Sequence, residues 1–548
     1  MPSTKPEPMR GSMTLSGPMG FDVAVVGLGP VGAVAAQLLA REGLSVLAVE
    51  PNRTPDDKPR AIGIDHESLR LLQSLGLAEE VEPILGDYAP SEYRSATGAL
   101  LRRIVPQPQP HPLSWPPYAT FVQPALEAIL RAALERWPTL STALGQRVAT
   151  LRQTELGVRL GLVNEIGEAR EVSARYVIAC DGARSAVRQS QGILLEDLEF
   201  DEPWLVVDVI INENARLPET IVQYCDPARP ATYIAGPGQL RRWEIMLLPG
   251  EDPERMVEDE TVWRLLSPWL TPLEGKLWRA AAYRFHALVA QRWRSGNVFI
   301  AGDAAHQTPP FMAQGLNQGL RDASNLCWKL GQVILRGAAP QLLDSYEAER
   351  RANCRAVIAL TKQFGRLICE RDPMAAAARD RTMLAEIETG RGLLVRQNLL
   401  PPITGGFLHD ASGDRPSGVG TLLPQPMLLQ GSGAPRRMDD VVKARFLLIV
   451  RQDWRPNEAQ RATAERLGLA FASLTPRSLG EWVTPIHERD PLIADWMREH
   501  EAVAVMVRPD HVVFAIARAG EDAGRLIDQL DAELAGAPSN SLATACPE

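Results

Sequence analysis

The 548-residue chain exceeds what one hydrophobic core usually organises, so two or three domains are expected. Its 45% hydrophobic and 23% charged residues are ordinary globular values, and a net charge of −9 without a long basic run argues against nucleic acid as a partner. Six cysteines lie scattered with no C-x-x-C pair, the pattern of free thiols in a reducing compartment, so a cytoplasmic location is expected.

Residues 1–20 are rich in Pro, Ser, Met and Gly and lack the apolar stretch of a secretory signal; a disordered leader is expected there. No apolar run approaches the ~18 residues of a transmembrane segment. Ordered structure is expected from Phe21, where an apolar run breaks into Gly27-Leu28-Gly29-Pro30-Val31-Gly32 and an Ala/Leu-rich stretch follows. This order predicts strand, glycine turn and helix. Gly27 permits the tight turn, Gly29 lets a pyrophosphate approach the backbone, and Gly32 lets the helix pack closely on the strand. The helix N-terminus then presents free N–H groups to the phosphates.

A second apolar run ends at Glu50, 18 residues beyond Gly32, where a ribose-binding carboxylate belongs. Such a carboxylate repels a 2′-phosphate, which argues against NADP and leaves FAD and NAD open.

Two further apolar runs each end in an acid followed or preceded by glycine, at Asp181-Gly182 and Gly302-Asp303. In an α/β sheet such strand ends carry the ligand, whereas the plainer alternative for each Asp is a helix cap. Residues 176–188 (YVIACDGARSAVR) and 296–306 (GNVFIAGDAAH), taken with the glycine turn before them, resemble the motifs of the class A flavoprotein monooxygenases.

That resemblance implies FAD as cofactor and NADH or NADPH as transient co-substrate. It implies that Asp303 binds the ribityl chain and that the Asp181-Gly182 segment serves both FAD and pyridine nucleotide. Pro310 lies near the flavin ring, and Gly315, Leu316 and Asn317 supply backbone to it; Ala313 departs from the glycine expected in many relatives. Arg60 is similar to the family arginine that contacts the pyrophosphate, and Gln123 to a glutamine that touches FAD. A surface ion pair and a helix cap are the plainer readings of these two.

Segments 60–76 (RAIGIDHESLRLLQSLG), 200–208 (FDEPWLVVD), 241–250 (RRWEIMLLPG) and 302–330 are most similar to the 3-(3-hydroxyphenyl)propionate hydroxylases. The activity so implied is hydroxylation of a phenolic ring with NAD(P)H and O2 through a flavin C4a-hydroperoxide. The alternatives are an FAD oxidoreductase that epoxidises or dehydrogenates a non-phenolic substrate, and a non-catalytic FAD- or ligand-binding protein. The polar candidates for meeting the substrate are Tyr224, Tyr233, Arg241 and Arg242, with His66 for proton handling because imidazole titrates in the working range. Spread-out histidines give no metal-ligand spacing, so no metal is expected.

The expected architecture is α/β. A Rossmann-like FAD-binding domain comprises residues 21–190 and 291–400, with a β-rich substrate domain at 191–290 inserted into it. A linker at 401–430 leads to a C-terminal domain at 431–548 that resembles the thioredoxin-like domain of phenol hydroxylase relatives. Lacking a dithiol pair, that domain is expected to be structural or to form a homodimer. Residues 540–548 are expected to be a disordered tail.

Overall fold

An apolar run without alternation suits a parallel sheet covered on both faces, and the strand Gly20–Val26 occupies such a place. It lies between the parallel strands Val46–Glu50 and Ala169–Ala179; Leu140–Leu144 extends the sheet on one side and Val298–Ile300 on the other, again in parallel. The helix Pro30–Glu42, opened by a proline and closed by Gly43, packs against the helix Gly315–Leu335 behind this sheet. The structure, a computed structural model, describes residues 20–87, 89–409, 416–431, 433–451, 453–475 and 479–536. The leader before residue 20, part of the linker and the tail lie outside the described residues.

The second sheet has nine strands, in the order His306–Gln307, Gly275–Ala290, Leu195–Ile211, Leu240–Met246, Ala231–Ala235, Ile221–Cys225, Ser91–Ser95, Leu100–Val105 and Leu393–Val395. It draws on more than the 191–290 segment. Ser91–Ser95 pairs in parallel with Ile221–Cys225, and Leu393–Val395 with Leu100–Val105; such long-range pairings leave no local mark in the sequence. Alternation gives the sheet two unlike faces. On one, Leu205, Val207, Val222, Tyr233, Trp243 and Ile245 pack with Val262 and Leu266 of the helix Asp259–Leu266. The other face looks toward the first sheet.

The C-terminal region forms a five-stranded sheet in the order Val483–Pro485, Leu469–Ser473, Phe446–Val450, Ala502–Val507, Val513–Arg518, with the first three strands parallel and the last two antiparallel. It is docked firmly on the rest of the chain. Arg70 binds both carboxylate oxygens of Asp439 at 2.7 and 2.9 Å and the Leu423 carbonyl at 2.7 Å. Arg508 reaches Glu349 at 2.7 Å, and Trp328 shares a core with Phe407, Phe446 and Phe514.

Candidate active site

Geometry forces the first glycine turn. Gly27 has φ 95°, and a Cβ there would lie 2.4 Å from the Cys180 carbonyl oxygen; at Gly32 a Cβ would lie 1.9 Å from the Gly27 carbonyl oxygen. At Gly29 a Cβ would meet no protein atom within 4 Å, so the space beyond this residue suits a ligand. Gly29 caps the helix Pro30–Glu42 with no side-chain hydrogen bond, which leaves the first amides and the positive dipole end facing that space. Glu50 closes the cradle, its Oε2 accepting the Leu28 amide at 2.7 Å and its Oε1 the Asn52 amide at 3.0 Å. Carboxylate oxygens have lone pairs for further donors, such as ribose hydroxyls. The group fits a dinucleotide.

Gln123 secures the neighbouring loop. Its Oε1 accepts the amides of Arg60 and Ala61 at 2.8 and 2.6 Å, and its Nε2 donates to Glu127 at 2.7 Å. The Arg60 carbonyl accepts from Arg242 Nη1 at 2.7 Å. With its backbone fixed from both sides, Arg60 extends its guanidinium outward, 69% exposed and 3.7 Å from Asp56, where it can meet an anion.

The two strand-end aspartates differ. Asp181 is engaged locally, accepting the Val187 amide at 3.1 Å and the Ser185 hydroxyl at the start of the helix Ala186–Ser190. Asp303 takes no hydrogen bond from the described residues and is exposed. It is therefore an available acceptor for polyol hydroxyls. Beneath it, Asp322 binds the Gly302 amide at 3.0 Å, His306 Nε2 at 2.8 Å and Arg350 Nε at 3.0 Å. Arg188 ties the two motifs together, donating from Nη1 to the carbonyls of Ala183 at 3.1 Å and Ala304 at 3.0 Å.

The turn Pro310–Met312 leads into Ala313, which has φ 48°. Left-handed backbone costs a residue with a Cβ about 1–2 kcal/mol, the physical reason that glycine is expected at this position. Asn317 stabilises the turn, donating from Nδ2 to the Ala313 carbonyl at 2.8 Å, while its Oδ1 accepts the Asp65 amide at 3.1 Å and the Ser68 hydroxyl at 2.7 Å. No side chain caps the helix Gly315–Leu335, so the first-turn amides of Gly315, Leu316 and Asn317 can face an anionic ring edge.

Between this turn and the second sheet lies a narrow cleft of about 40 Å³, bounded by Pro310 to Ala313, Ile62, Tyr118 and Thr120. Gln223, Thr232 and Glu244 line its sheet side, with Arg396 beside them. Glu244 is buried, and burial pushes its carboxyl up to about 7; Arg242 and Arg279 act against that shift and Asp208 adds to it. The Arg396 guanidinium lies 4.2 Å from the Tyr118 ring centroid and donates to the Met312 carbonyl.

Residues 20–361 match the FAD binding domain family and residues 420–533 the HcaD C-terminal domain family. Over 524 residues the chain is 35% identical to a 3-(3-hydroxy-phenyl)propionate/3-hydroxycinnamic acid hydroxylase of Burkholderia cenocepacia, covering 92% of this chain and 95% of that protein. The chain is a class A FAD-dependent aromatic hydroxylase. An Escherichia coli protein of the same description is 33% identical to the hydroxylase over 510 residues, 90% of this chain and 91% of that one. The fold is shared with the flavin-dependent monooxygenase PieE, solved with FAD and substrate, at a TM-score of 0.78 and 23% identity over 95% of this chain and 100% of that one. Aklavinone-11 hydroxylase, solved with FAD and aklavinone, gives 0.76 and 23% over 94% and 99%. FAD is the cofactor of the hydroxylase, with NAD(P)H as co-substrate.

Five polar residues singled out in the sequence do not line the cleft of the hydroxylase; among them, Arg241 donates from Nη1 to the carbonyls of Gly238 and Leu240 at 2.8 and 2.7 Å. Tyr224 and Tyr233 have the wrong parity on their strands: Tyr224 packs against Trp269 at 5.2 Å, and Tyr233 donates to the Pro218 carbonyl at 2.9 Å on the far face. Burial pushes the Tyr233 phenol up to about 12. Arg242 is buried against Asp208 and the Arg60 loop. His66 opens the helix His66–Ser74 away from the cleft lining, and burial, helped by Arg321, Arg70 and His111 against Asp65, brings its imidazole down to about 4. The residues that do line the sheet side, Gln223, Thr232 and Glu244, escaped the sequence reading. Their signal is alternation: each is a polar residue between apolar neighbours on a strand whose other face is core.

Proposed function

We propose that the hydroxylase acts on a phenolic acid of the 3-(3-hydroxyphenyl)propionate class, adding a hydroxyl ortho or para to the one already present. The observation that carries this reading is the charge arrangement of the cleft: among the described residues that line it, Arg396 is the cation and Glu244 the acid. A guanidinium suits a carboxylate in charge and fork geometry. The Gln223, Thr232 and Glu244 side chains suit a phenol hydroxyl, and Phe311 and Ile234 an aromatic ring. Relatives described as 3-(3-hydroxy-phenyl)propionate/3-hydroxycinnamic acid hydroxylases support the same substrate class.

In this reading Gly27, Gly29, Gly32 and Arg60 receive the FAD pyrophosphate and Glu50 the ribose. Gln123 positions the Arg60 loop, Asp303 receives the ribityl chain, and Pro310 with the amides of Gly315, Leu316 and Asn317 meets the flavin ring. Asp181 and Gly182 shape the adjoining turn. FAD reduced by NADH or NADPH activates O2 and supplies the transferred oxygen atom. The protein's part is to orient the substrate ring, exclude water and handle the phenol proton.

The flavin unit at 21–190 and 291–400, the substrate unit at 191–290 and the linker at 401–430 remain our proposed division. The strand order of the C-terminal sheet supports a thioredoxin-like reading of 431–548, in a structural role. A cytoplasmic location is supported by the free cysteines Cys180, Cys225, Cys327, Cys354 and Cys369. No helix among the described residues is long and apolar enough to cross a membrane.

The test is oxidation of NADH and NADPH by the FAD-loaded protein across a phenol panel, with products identified by mass. We expect 3-(3-hydroxyphenyl)propionate to stimulate oxidation and gain one oxygen atom, and Arg396→Leu to raise its KM at least about tenfold, the loss of one charge-assisted contact. Preference for resorcinol or another phenol without a carboxylate overturns the phenolic-acid reading.

A further inference from the structure

We propose that Glu244 is the general base that takes the proton of the substrate phenol, with Thr232 and Gln223 aligning the hydroxyl beside it; this rests on the phenolic reading above. Glu244 on the strand Leu240–Met246 stands directly opposite Thr232, and Thr232 directly opposite Gln223. Residues so paired have Cβ atoms about 4.5–5.5 Å apart, so the three form one polar row across three strands. Thr232 Oγ1 donates to Gln223 Oε1 at 2.6 Å. That bond orients the Gln223 amide, leaving Nε2 as a donor for the phenol oxygen.

Glu244 itself is 7% exposed, takes no hydrogen bond from the described residues, and lines the cleft. On the neighbouring strand its partner is the apolar Val206. A buried carboxylate without a partner is rare. Three charged groups on the same face act on it, Arg242 on its own strand, Asp208 on Leu195–Ile211 and Arg279 on Gly275–Ala290, and Arg396 also lines the cleft. Arg242 and Arg279 are both engaged with Asp208, at 2.7 and 3.4 Å. Both still pull the Glu244 carboxyl down, but burial outweighs them and brings it up to about 7, the strength that suits a base at neutral pH.

The step is a simple proton transfer. The phenol O–H bond breaks, the proton passes to a Glu244 carboxylate oxygen, and the electron pair stays on the phenolate, where it enriches the ortho and para carbons. After oxygen transfer, the ring carbon releases its hydrogen to solvent as a proton, and neutral Glu244 returns its own proton to the carbonyl oxygen. Both the aromatic ring and the carboxylate are thereby restored.

The test uses FAD-loaded enzyme and a chromophoric probe, 3-(3-hydroxy-4-nitrophenyl)propionate, whose ionised form is yellow. Wild type should bind it as the phenolate at neutral pH without releasing a proton to a pH indicator, because the proton stays on Glu244. Glu244→Gln should bind it as the neutral phenol and lower kcat about 100-fold, with KM changed less than about threefold; Glu244→Asp should restore part of the phenolate signal. Retained phenolate in Glu244→Gln, or release of one proton per probe bound to wild type, overturns the proposal. The wild-type proton count decides even if the variant fails to fold. Binding of neither probe nor phenolic acid to wild type marks failure of the substrate reading itself, and the base proposal falls with it.

Discussion

Arg242 donates from Nη1 to the main-chain carbonyl of Arg60 at 2.7 Å while its Nε and Nη2 grip the two carboxylate oxygens of Asp208 at 2.7 and 3.0 Å. Arg242 and Asp208 are both buried, so the pair links the substrate sheet to the loop that presents the Arg60 guanidinium. Removing one partner of a buried ion pair costs about 3–5 kcal/mol, whereas replacing both with apolar residues is often neutral. Arg242→Met should therefore lower both thermal stability and FAD affinity. Arg279 also binds Asp208 at 3.4 Å, so the triple variant Arg242→Met, Asp208→Leu, Arg279→Met, which leaves no member of the buried cluster unpaired, should recover stability but not affinity, because the Arg60 carbonyl stays untethered. Melting curves of the apoprotein and FAD titrations separate the two effects.

The glycines of the first turn divide in the same way. A Cβ at Gly32 collides with the Gly27 carbonyl, so Gly32→Ala should destabilise the apoprotein by more than about 2 kcal/mol, as overpacking does. At Gly29 a Cβ meets no protein atom. Gly29→Ala should leave the apoprotein melting temperature unchanged and weaken FAD binding, about tenfold or more if a pyrophosphate approaches the backbone there. Unchanged FAD affinity in Gly29→Ala would remove the phosphate from this turn.

Because Tyr224 and Tyr233 belong to the far face of the sheet, neither should contribute to turnover. Tyr224→Phe and Tyr233→Phe are expected to keep kcat/KM within about threefold. Tyr233→Phe should cost about 1 kcal/mol of stability, the net value of its hydrogen bond to the Pro218 carbonyl. A large fall in kcat in either variant would return these phenols to the chemistry.

Glu349 should make stability depend on pH in the acid range. Burial alone would raise its carboxyl, but Arg508 and Lys329, at 2.7 and 3.0 Å, bring it down to about 2 from an ordinary 4.5. A group depressed in the folded state binds more protons when unfolded, so its contribution is present above 4.5 and is lost as the pH falls toward 2. Glu349→Gln should cost about 3–5 kcal/mol at neutral pH and flatten this acid dependence. Urea unfolding at a series of pH values measures both.

Local chemistry made the flavin half of the protein legible. Strand, glycine turn, helix and acid follow one another within residues 20–50, and each has a meaning that neighbours on the chain supply. The positions of Gly27, Gly29, Gly32, Glu50 and Asp303 were therefore readable residue by residue, whereas Ala313 stood out only against the family that the motifs resemble. So were the C-terminal strands Ala502–Val507 and Phe446–Val450 and the helix Arg525–Leu534, whose apolar patterns are strong.

Tertiary structure alone decided the substrate cleft and the partners of the charged residues. Which face of Ile221–Cys225 lines the cleft depends on parallel pairing with Ser91–Ser95, more than a hundred residues away, and a one-residue change of parity exchanges Tyr224 for Gln223. Asp208 turns Arg242 into a tether, and burial turns Glu244 into a base. A sequence records that an acid is present; its desolvation and the engagement of nearby cations exist only once distant strands have been brought together.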